Sequence, residues 1–402
     1  MHDRPRLGRR TFHGVAYGPS VALGARSSLL IVGPTQGGKT SSLVTPAILR
    51  WSDALVVTSV KRDVLDVTRA WREGLGDVTV LEPGRDGGLT WDPLEGVATY
   101  REALRVAREL THTGGHGDTE FWNALAVKFV AALMVLARAS GRDIFAVARV
   151  VDQRDFDRWR EGAASGTARD VLDGFLERDP KTLDGVLTTA ETMLLPWRFE
   201  QPLAALRPVV EGPNTLYLCS PRGEQRHYEP LLRGALRAVL EHQQTLVDRG
   251  VQRRLLMVLD EAATVAPLDE LDQLAATVAG LDVTLVTVVQ DFSQLSARWG
   301  ARAATIVNNH TTRMVLGGLA DPSAGTFLPE LVEPVNGRQP VALRRRPPGT
   351  ATVIAGRDSL YTVRLRPWWR DRHLARRGAR GINYDAHHGP RGRRRRRPDS
   401  GH

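Results

Sequence analysis

Short, unbroken apolar runs of four to seven residues recur along this chain. Ser28–Val32 (SLLIV), Ala54–Thr58 (ALVVT) and Val78–Leu81 (VTVL) come first. Thr215–Cys219 (TLYLC), Leu255–Leu259 (LLMVL) and Val283–Val289 (VTLVTVV) follow after a long gap. Runs with no polar alternation suit strands buried on both faces of a parallel sheet. Thr312–Leu316 (TRMVL) and Ala351–Ile354 (ATVI) read as later strands. Helical patterns separate these runs at Ser41–Arg50, Glu229–Asp248, Leu268–Ala279 and Phe292–Trp299. Pro46 is predicted to bend or shorten the first of them. The alternation predicts an α/β fold with a mostly parallel, doubly wound sheet.

From about Tyr100 to Leu206 the pattern changes. Amphipathic helical spacing appears at Arg101–Leu110, Glu120–Arg138, Ala168–Glu177 and Leu183–Leu195, with no convincing strand between them. This stretch reads as an all-helical insertion. Residues 1–20 read as basic and irregular, and Leu343–Pro348 as a basic, Pro-rich loop.

Charge alters this picture only at one end. The formal net charge is +10, but residues 370–402 carry 11 Arg and 3 Asp, so the body is nearly neutral. A high pI is therefore no evidence of a DNA-binding domain, and the Arg-rich tail reads as disordered. The Arg393–Arg397 run suits non-specific polyanion contact. A single cysteine, Cys219, excludes an internal disulfide and fits a cytoplasmic setting. The longest apolar stretch, Leu125–Ala137, is interrupted by Lys128 and falls short of the roughly 20 residues a membrane helix needs. The expectation is a chain with no transmembrane span.

Only four residues are lysine, which makes a lysine inside a motif informative. One of them completes Gly33-Pro34-Thr35-Gln36-Gly37-Gly38-Lys39-Thr40, a P-loop set between a buried strand and a helix. Glycines are needed where backbone N–H groups wrap a phosphate chain. Gly33 to Ser41 would bind ATP, Lys39 reaching the β- and γ-phosphates and the Thr40 hydroxyl holding Mg²⁺. The LLMVL run ends in Asp260-Glu261, where an open α/β sheet presents its ligands. Alone this is also an ordinary strand end. Paired with the P-loop, Asp260 would hold Mg²⁺ and Glu261 would polarise the attacking water. Gln290, at the end of the next run, reads either as a solvated strand end or as a γ-phosphate sensor. Hydrolysis in ring motors uses an Arg from a neighbouring subunit. Arg313 is the candidate, with a structural role as the competing reading. No guanine-specifying Asn-Lys-x-Asp is present, which favours ATP. Trp122, in Glu120-Phe-Trp-Asn123, reads as the anchor of the helical insertion.

The domain reading is then 1–20, a basic segment; 21–99, the first part of a nucleotide-binding domain; 100–206, the helical insertion; 207–369, the second part; and 370–402, the tail.

The order of these parts resembles the TraG/TraD-type coupling proteins of conjugation and type IV secretion, over about residues 15–366. The resemblance rests on the P-loop, Thr58-Ser-Val-Lys-Arg-Asp63, Thr90-Trp-Asp-Pro-Leu94, Glu120-Phe-Trp122, Asp260-Glu261, Gln290-Asp-Phe-Ser-Gln-Leu295 and Asn309–Leu316. It implies a RecA-like P-loop motor forming a homo-hexamer at the cytoplasmic face of the membrane. Such a motor moves DNA with bound relaxase toward type IV secretion channel components. Two departures stand out. Family members begin with transmembrane helices, and Ala279-Gly280 occupies the place where RecA-like relatives carry an Arg. Competing expectations are a related motor for double-stranded DNA segregation or protein secretion, and an ATP-binding switch with little turnover.

Overall fold

The computed structural model describes residues 4–379 apart from 13–14, 112–117, 158, 160–165, 222, 266, 330–345 and 357–358. Its strands are β1 (Arg6–Phe12), β2 (Val15–Ala22), β3 (Ser28–Val32), β4 (Ala54–Ser59), β5 (Val78–Leu81), β6 (Thr90–Trp91) and β7 (Leu203–Ala204). Then come β8 (Thr215–Cys219), β9 (Leu255–Leu259), β10 (Val283–Val289), β11 (Thr312–Leu316), β12 (Thr350–Ala355) and β13 (Ser359–Arg364). Eleven of them form one sheet in the order β2-β1-β13-β12-β11-β3-β10-β9-β4-β8-β5. From β11 to β5 every pairing is parallel. From β11 out to β2 every pairing is antiparallel.

The period of two along each strand builds two cores. Leu30, Val32, Val56, Leu255, Met257 and Leu285 face one side and join the helical segment in a single cluster. Leu29, Ile31, Val57, Leu256, Val258 and Met314 face the other, covered by the helices Thr45–Arg50 and Asp63–Glu73. A strand buried on both faces has no solvent side, which is why these runs lack polar alternation.

Between β6 and β7 lie the helices Tyr100–Glu109, Asp118–Ala139, Ile144–Gln153, Thr167–Leu176 and Pro180–Leu194. Their buried side chains run without a break into the cluster on one sheet face, so this segment shares a core with the sheet. The short parallel pair β6–β7 ties its entry to its exit. Trp122 sits against Gly185, where a Cβ would lie 2.7 Å from the indole ring. Any larger residue there would push Trp122 out of place. The helix Ile144–Gln153 had no counterpart in the sequence pattern. Asp143 starts it, accepting the Ala146 N–H at 3.1 Å.

Asp118–Ala139, at 22 residues, is long and apolar enough to cross a membrane. The helix extends beyond the Leu125–Ala137 run at both ends. Most of its apolar window is nevertheless inside the protein, with Phe129, Val130, Leu133 and Met134 fully buried.

Both ends of the chain also depart from expectation. Residues 6–12 and 15–22, read as irregular, form the antiparallel hairpin β1–β2. Its Arg- and Gly-rich sequence shows no apolar alternation; Leu7 and backbone pairing with β13 hold it to the sheet. Arg372–Gly378, read as part of a disordered tail, is a helix capped by Asp371. Its Leu374 packs with Leu49, Val67 and Trp368. The rest of that tail, 380–402, and the first half of the Leu343–Pro348 loop, 343–345, lie outside the described residues. After the P-loop, Thr40–Val44 is a π-helical turn before the α-helix Thr45–Arg50. Pro46 lacks the N–H that regular α-helical pairing would use, and Pro is at home in the first turn of the helix that follows.

Candidate nucleotide site

The parallel strands all end at one edge of the sheet. There β10 lies between β3 and β9, so the residues following Val32, Leu259 and Val289 come together. An open α/β sheet binds its ligands at such an edge.

The glycine-rich turn is built for close approach. A Cβ on Gly33 would meet Leu316 at 2.7 Å, and one on Gly37 would meet the Pro34 carbonyl at 2.9 Å. Gly38 has φ +87°, a conformation that L side chains rarely adopt. The Gly33 N–H donates to the Val289 carbonyl at 3.3 Å, joining the loop to β10. Pro34, Thr35 and Gln36 form the more exposed part of the turn, and Ser41 lies in the π-helical turn behind it.

Lys39 is buried, and its Nζ donates to the carbonyls of Gly33 at 2.5 Å and Pro34 at 3.1 Å. Burial lowers the Lys39 pKa, while the carboxylates of Asp260, Glu261 and Asp291 oppose that shift. Asp260 lies opposite Thr40, with Oγ1 to Oδ2 at 3.4 Å. Burial, reinforced by Glu261 and Asp63, pushes the Asp260 carboxyl up to about 6; Lys39 and Thr40 pull it back. A divalent cation would supply the charge this carboxylate lacks.

Glu261 has φ +54°, an uncommon conformation for a non-glycine residue. It is held there because the Ala262 N–H donates to the Val288 carbonyl at 3.0 Å and the Thr264 N–H to Glu261 O at 2.8 Å. The sharp turn leaves the Glu261 side chain half-buried beside Asp260. Strain of this kind is kept where the surroundings over-determine it, often at functional sites.

Gln290 is fixed through its backbone, whose N–H donates to Gln294 Oε1 at 3.0 Å. Asp291 caps the helix Phe292–Trp299 through the Gln294 N–H at 2.7 Å. Asp321 accepts the N–H groups of Phe292 at 2.6 Å and Ser293 at 3.3 Å. The turn after β10 is therefore locked on both sides.

Lys39, Thr40, Asp260, Glu261 and Gln290 thus share one edge. Arg313 does not join them. It is the second residue of β11, beside Leu30 of β3 and Ile354 of β12. That places it about three strand residues, roughly 10 Å, before the P-loop edge. Its Nε is buried with no hydrogen-bond partner among the described residues.

Several residues near the site had no role assigned to them from the sequence, although Thr58–Asp63 carries part of the family resemblance. The Thr58 hydroxyl donates to the Asp260 carbonyl at 3.0 Å, pinning the turn that carries both carboxylates. Lys61 adds positive charge close to Lys39, and Asp63 negative charge close to Asp260. The scarcity of lysine marked Lys61, but only the pairing of β4 with β9 brings it here.

A glycine cradle at the end of a buried strand, a lysine within it, and two carboxylates on a nearby strand define a RecA-like P-loop nucleotide-binding fold. The comparisons agree. Residues 9–180 match the family model described as type IV secretory system conjugative DNA transfer. Residues 254–332 match the one described as the TraM recognition site of TraD and TraG. Together they take in more than half of the chain, which belongs to the TraG/TraD-type conjugative coupling proteins. A conjugal transfer protein TraG of Escherichia coli is 26% identical over 317 residues, 67% of this chain and 49% of the relative. Protein VirD4 of Rhizobium rhizogenes is 22% identical over 340 residues, 79% of this chain and 50% of the relative. The chain spans about half the length of the curated relatives it matches. The plasmid coupling protein TrwB, solved with the non-hydrolysable ATP analogue ADPNP, superposes with TM-score 0.70 at 19% identity, covering 91% of this chain and 90% of TrwB. VirB4 of Thermoanaerobacter pseudethanolicus gives TM-score 0.55 at 12% identity, covering 90% and 96%.

Proposed function

We propose that the chain is an ATP-driven translocase that delivers DNA, with its relaxase, to a type IV secretion or conjugation channel. The observation that carries this reading is the Thr40–Asp260 juxtaposition, 3.4 Å across strands some 220 residues apart, with Lys39 and Glu261 beside it. Structures of TrwB with ADPNP and with ADP and Mg²⁺ support the choice of nucleotide and metal. TraG and VirD4 support the choice of process.

Bound ATP would supply the phosphoanhydride, and Mg²⁺ the charge neutralisation of its phosphates. Gly33 to Ser41 line the phosphate chain. Lys39 exchanges its loop carbonyls for phosphate oxygens. Thr40 and Asp260 hold the cation. Glu261 takes up the proton of the attacking water, and Gln290 orients that water from the intervening strand. An Arg from a neighbouring subunit completes the site in a homo-hexamer, with Arg313 the candidate. The motor works as a peripheral protein at the cytoplasmic face of the membrane, with DNA, the DNA-processing complex and the secretion channel as partners.

The test is steady-state ATPase activity with and without single- and double-stranded DNA. DNA stimulation is expected, with Glu261→Gln lowering turnover by about 100-fold or more while binding of the ATP analogue persists. An intact oligomer with no response to either DNA would overturn the translocase reading. Equal, slow hydrolysis by wild type and Glu261→Gln would leave a nucleotide switch.

A further inference from the structure

Glu261 and Gln290, the two side chains assigned to the attacking water, are not held by contacts of their own. Among the described residues neither the Glu261 carboxylate nor the Gln290 amide makes a hydrogen bond. Their aim therefore depends on the turns that carry them. Those turns follow the neighbouring parallel strands β9 and β10. One backbone bond joins them past the strand ends, from the Ala262 N–H to the Val288 carbonyl at 3.0 Å. A single tie sets the separation of two turns but not their rotation relative to each other.

Gln294 supplies a second tie. It is half-buried in the first turn of the helix Phe292–Trp299. Its Oε1 accepts the Gln290 N–H at 3.0 Å. A backbone N–H can only donate, so this bond sets which way the amide faces. Nε2 is then turned toward Thr264, whose Oγ1 lies at 3.4 Å. The Thr264 N–H in turn donates to the Glu261 carbonyl at 2.8 Å. One amide thus spans from the turn of Gln290 to the turn of Glu261. The helix itself is capped without it. Asp291 accepts the Gln294 N–H at 2.7 Å, and Asp321 accepts those of Phe292 and Ser293. A cap also needs only an acceptor, whereas here the donor half of the amide is engaged as well.

We propose that Gln294 is a positioning residue for hydrolysis, holding the turns of Glu261 and Gln290 in register so that one water meets both side chains. The proposal rests on Glu261 and Gln290 having the roles given above. Chemistry explains why an amide serves. A lysine would only donate, and a carboxylate would add negative charge beside Asp260, Glu261 and Asp291, where a triphosphate must also sit. A base and a water-orienting group act only within hydrogen-bond reach of the water. Displacing either turn by about 1 Å would therefore cost about 10- to 100-fold in rate without weakening nucleotide binding.

The experiment uses the full chain and measures kcat for ATP, calorimetric binding of a non-hydrolysable ATP analogue with Mg²⁺, and thermal melting. The variants are Gln294→Met, Thr264→Val, Thr264→Ser and the double Gln294→Met/Thr264→Val, with Glu261→Gln and Gln290→Ala alongside. Gln294→Met should lower kcat about tenfold and Thr264→Val about threefold, with analogue binding unchanged in both. Thr264→Ser keeps the hydroxyl and should restore the wild-type rate. The double variant should be no slower than Gln294→Met, because both changes break the same link. A helix cap alone predicts a lower melting temperature, unchanged kcat and a silent Thr264→Val, and that result overturns the proposal. A double variant slowed by the product of the two single effects overturns it too. Wild-type turnover in Glu261→Gln and Gln290→Ala would bring down the reading of the site and this proposal with it. Slow turnover in those two, with wild-type turnover in Gln294→Met, would bring down this proposal alone. Should Gln294→Met fail to fold, Thr264→Val against Thr264→Ser decides.

Discussion

The two parts of the sheet solve different problems. The seven parallel strands from β11 to β5 are mostly buried on both faces, and their aligned ends bring one lysine and two carboxylates together. The antiparallel edge from β12 to β2 brings arginines from separate elements around one cavity. Opposite charges meet where the strands are deepest, and like charges stand side by side where the sheet runs out. A buried charge must be paired or hydrogen-bonded because desolvation is expensive. At an exposed edge water screens the repulsion, so like charges can stand close together.

Arg72 gives the sharpest test of the first half of that comparison. Fully buried, it donates to the carbonyls of Trp51 at 2.6 Å, Asp53 at 2.7 Å and Pro213 at 3.0 Å, and to Thr215 Oγ1 at 2.7 Å. It thereby joins the starts of β4 and β8. Arg72→Ala should cost about 3–5 kcal/mol in urea unfolding, since several buried acceptors lose their donor. A loss of less than about 1 kcal/mol would mean that water replaces the side chain.

Next in size is Leu374→Ala, expected to cost about 2–4 kcal/mol because the side chain is 3% exposed between Leu49, Val67 and Trp368. Wild-type stability in a chain ending at residue 369 would show that this helix contributes nothing to the fold.

Asp260 follows. Its folded pKa of about 6 exceeds the ordinary 3.8, so the folded state holds the proton more tightly. Stability of the nucleotide-free protein is then highest below about pH 4, falls as pH rises toward 6, and is flat above that. Asp260→Asn should gain about 1–3 kcal/mol at pH 8 and nothing at pH 4. Binding of Mg²⁺ with nucleotide near pH 6 should release a proton in the wild type, readable as a buffer-dependent calorimetric heat. A mutant gain that is the same at both pH values would remove the buried charge as its cause.

The smallest effect belongs to the antiparallel edge. Arg364→Thr should change stability by less than about 0.5 kcal/mol, with any change favourable because Arg9 loses its like-charged neighbour. A loss above 1 kcal/mol would show that Arg364 supports the fold, and the contrast between the two parts of the sheet would weaken.

The buried strands were legible because a segment buried on both faces must be apolar throughout; all six runs quoted first fall within one residue of the observed strand limits, Val78–Leu81 being a half-buried edge. The P-loop was legible because its geometry admits few residue types. The hairpin β1–β2 was not, since backbone pairing to an existing edge asks little of side chains. Nor was the helix Arg372–Gly378, whose arginines hide a single buried leucine.

By itself the sequence determined the apolar runs, the glycine turn and the two carboxylates, because each is a local demand of burial or backbone shape on residue type. Only the tertiary structure decided that β10 separates β3 from β9, that Lys61, Asp63 and Asp291 add their charges to the site, and that arginines from both ends of the chain share one cavity. Strand order and the meeting of distant charges depend on how the chain crosses over itself, and no local spacing of residues records that path.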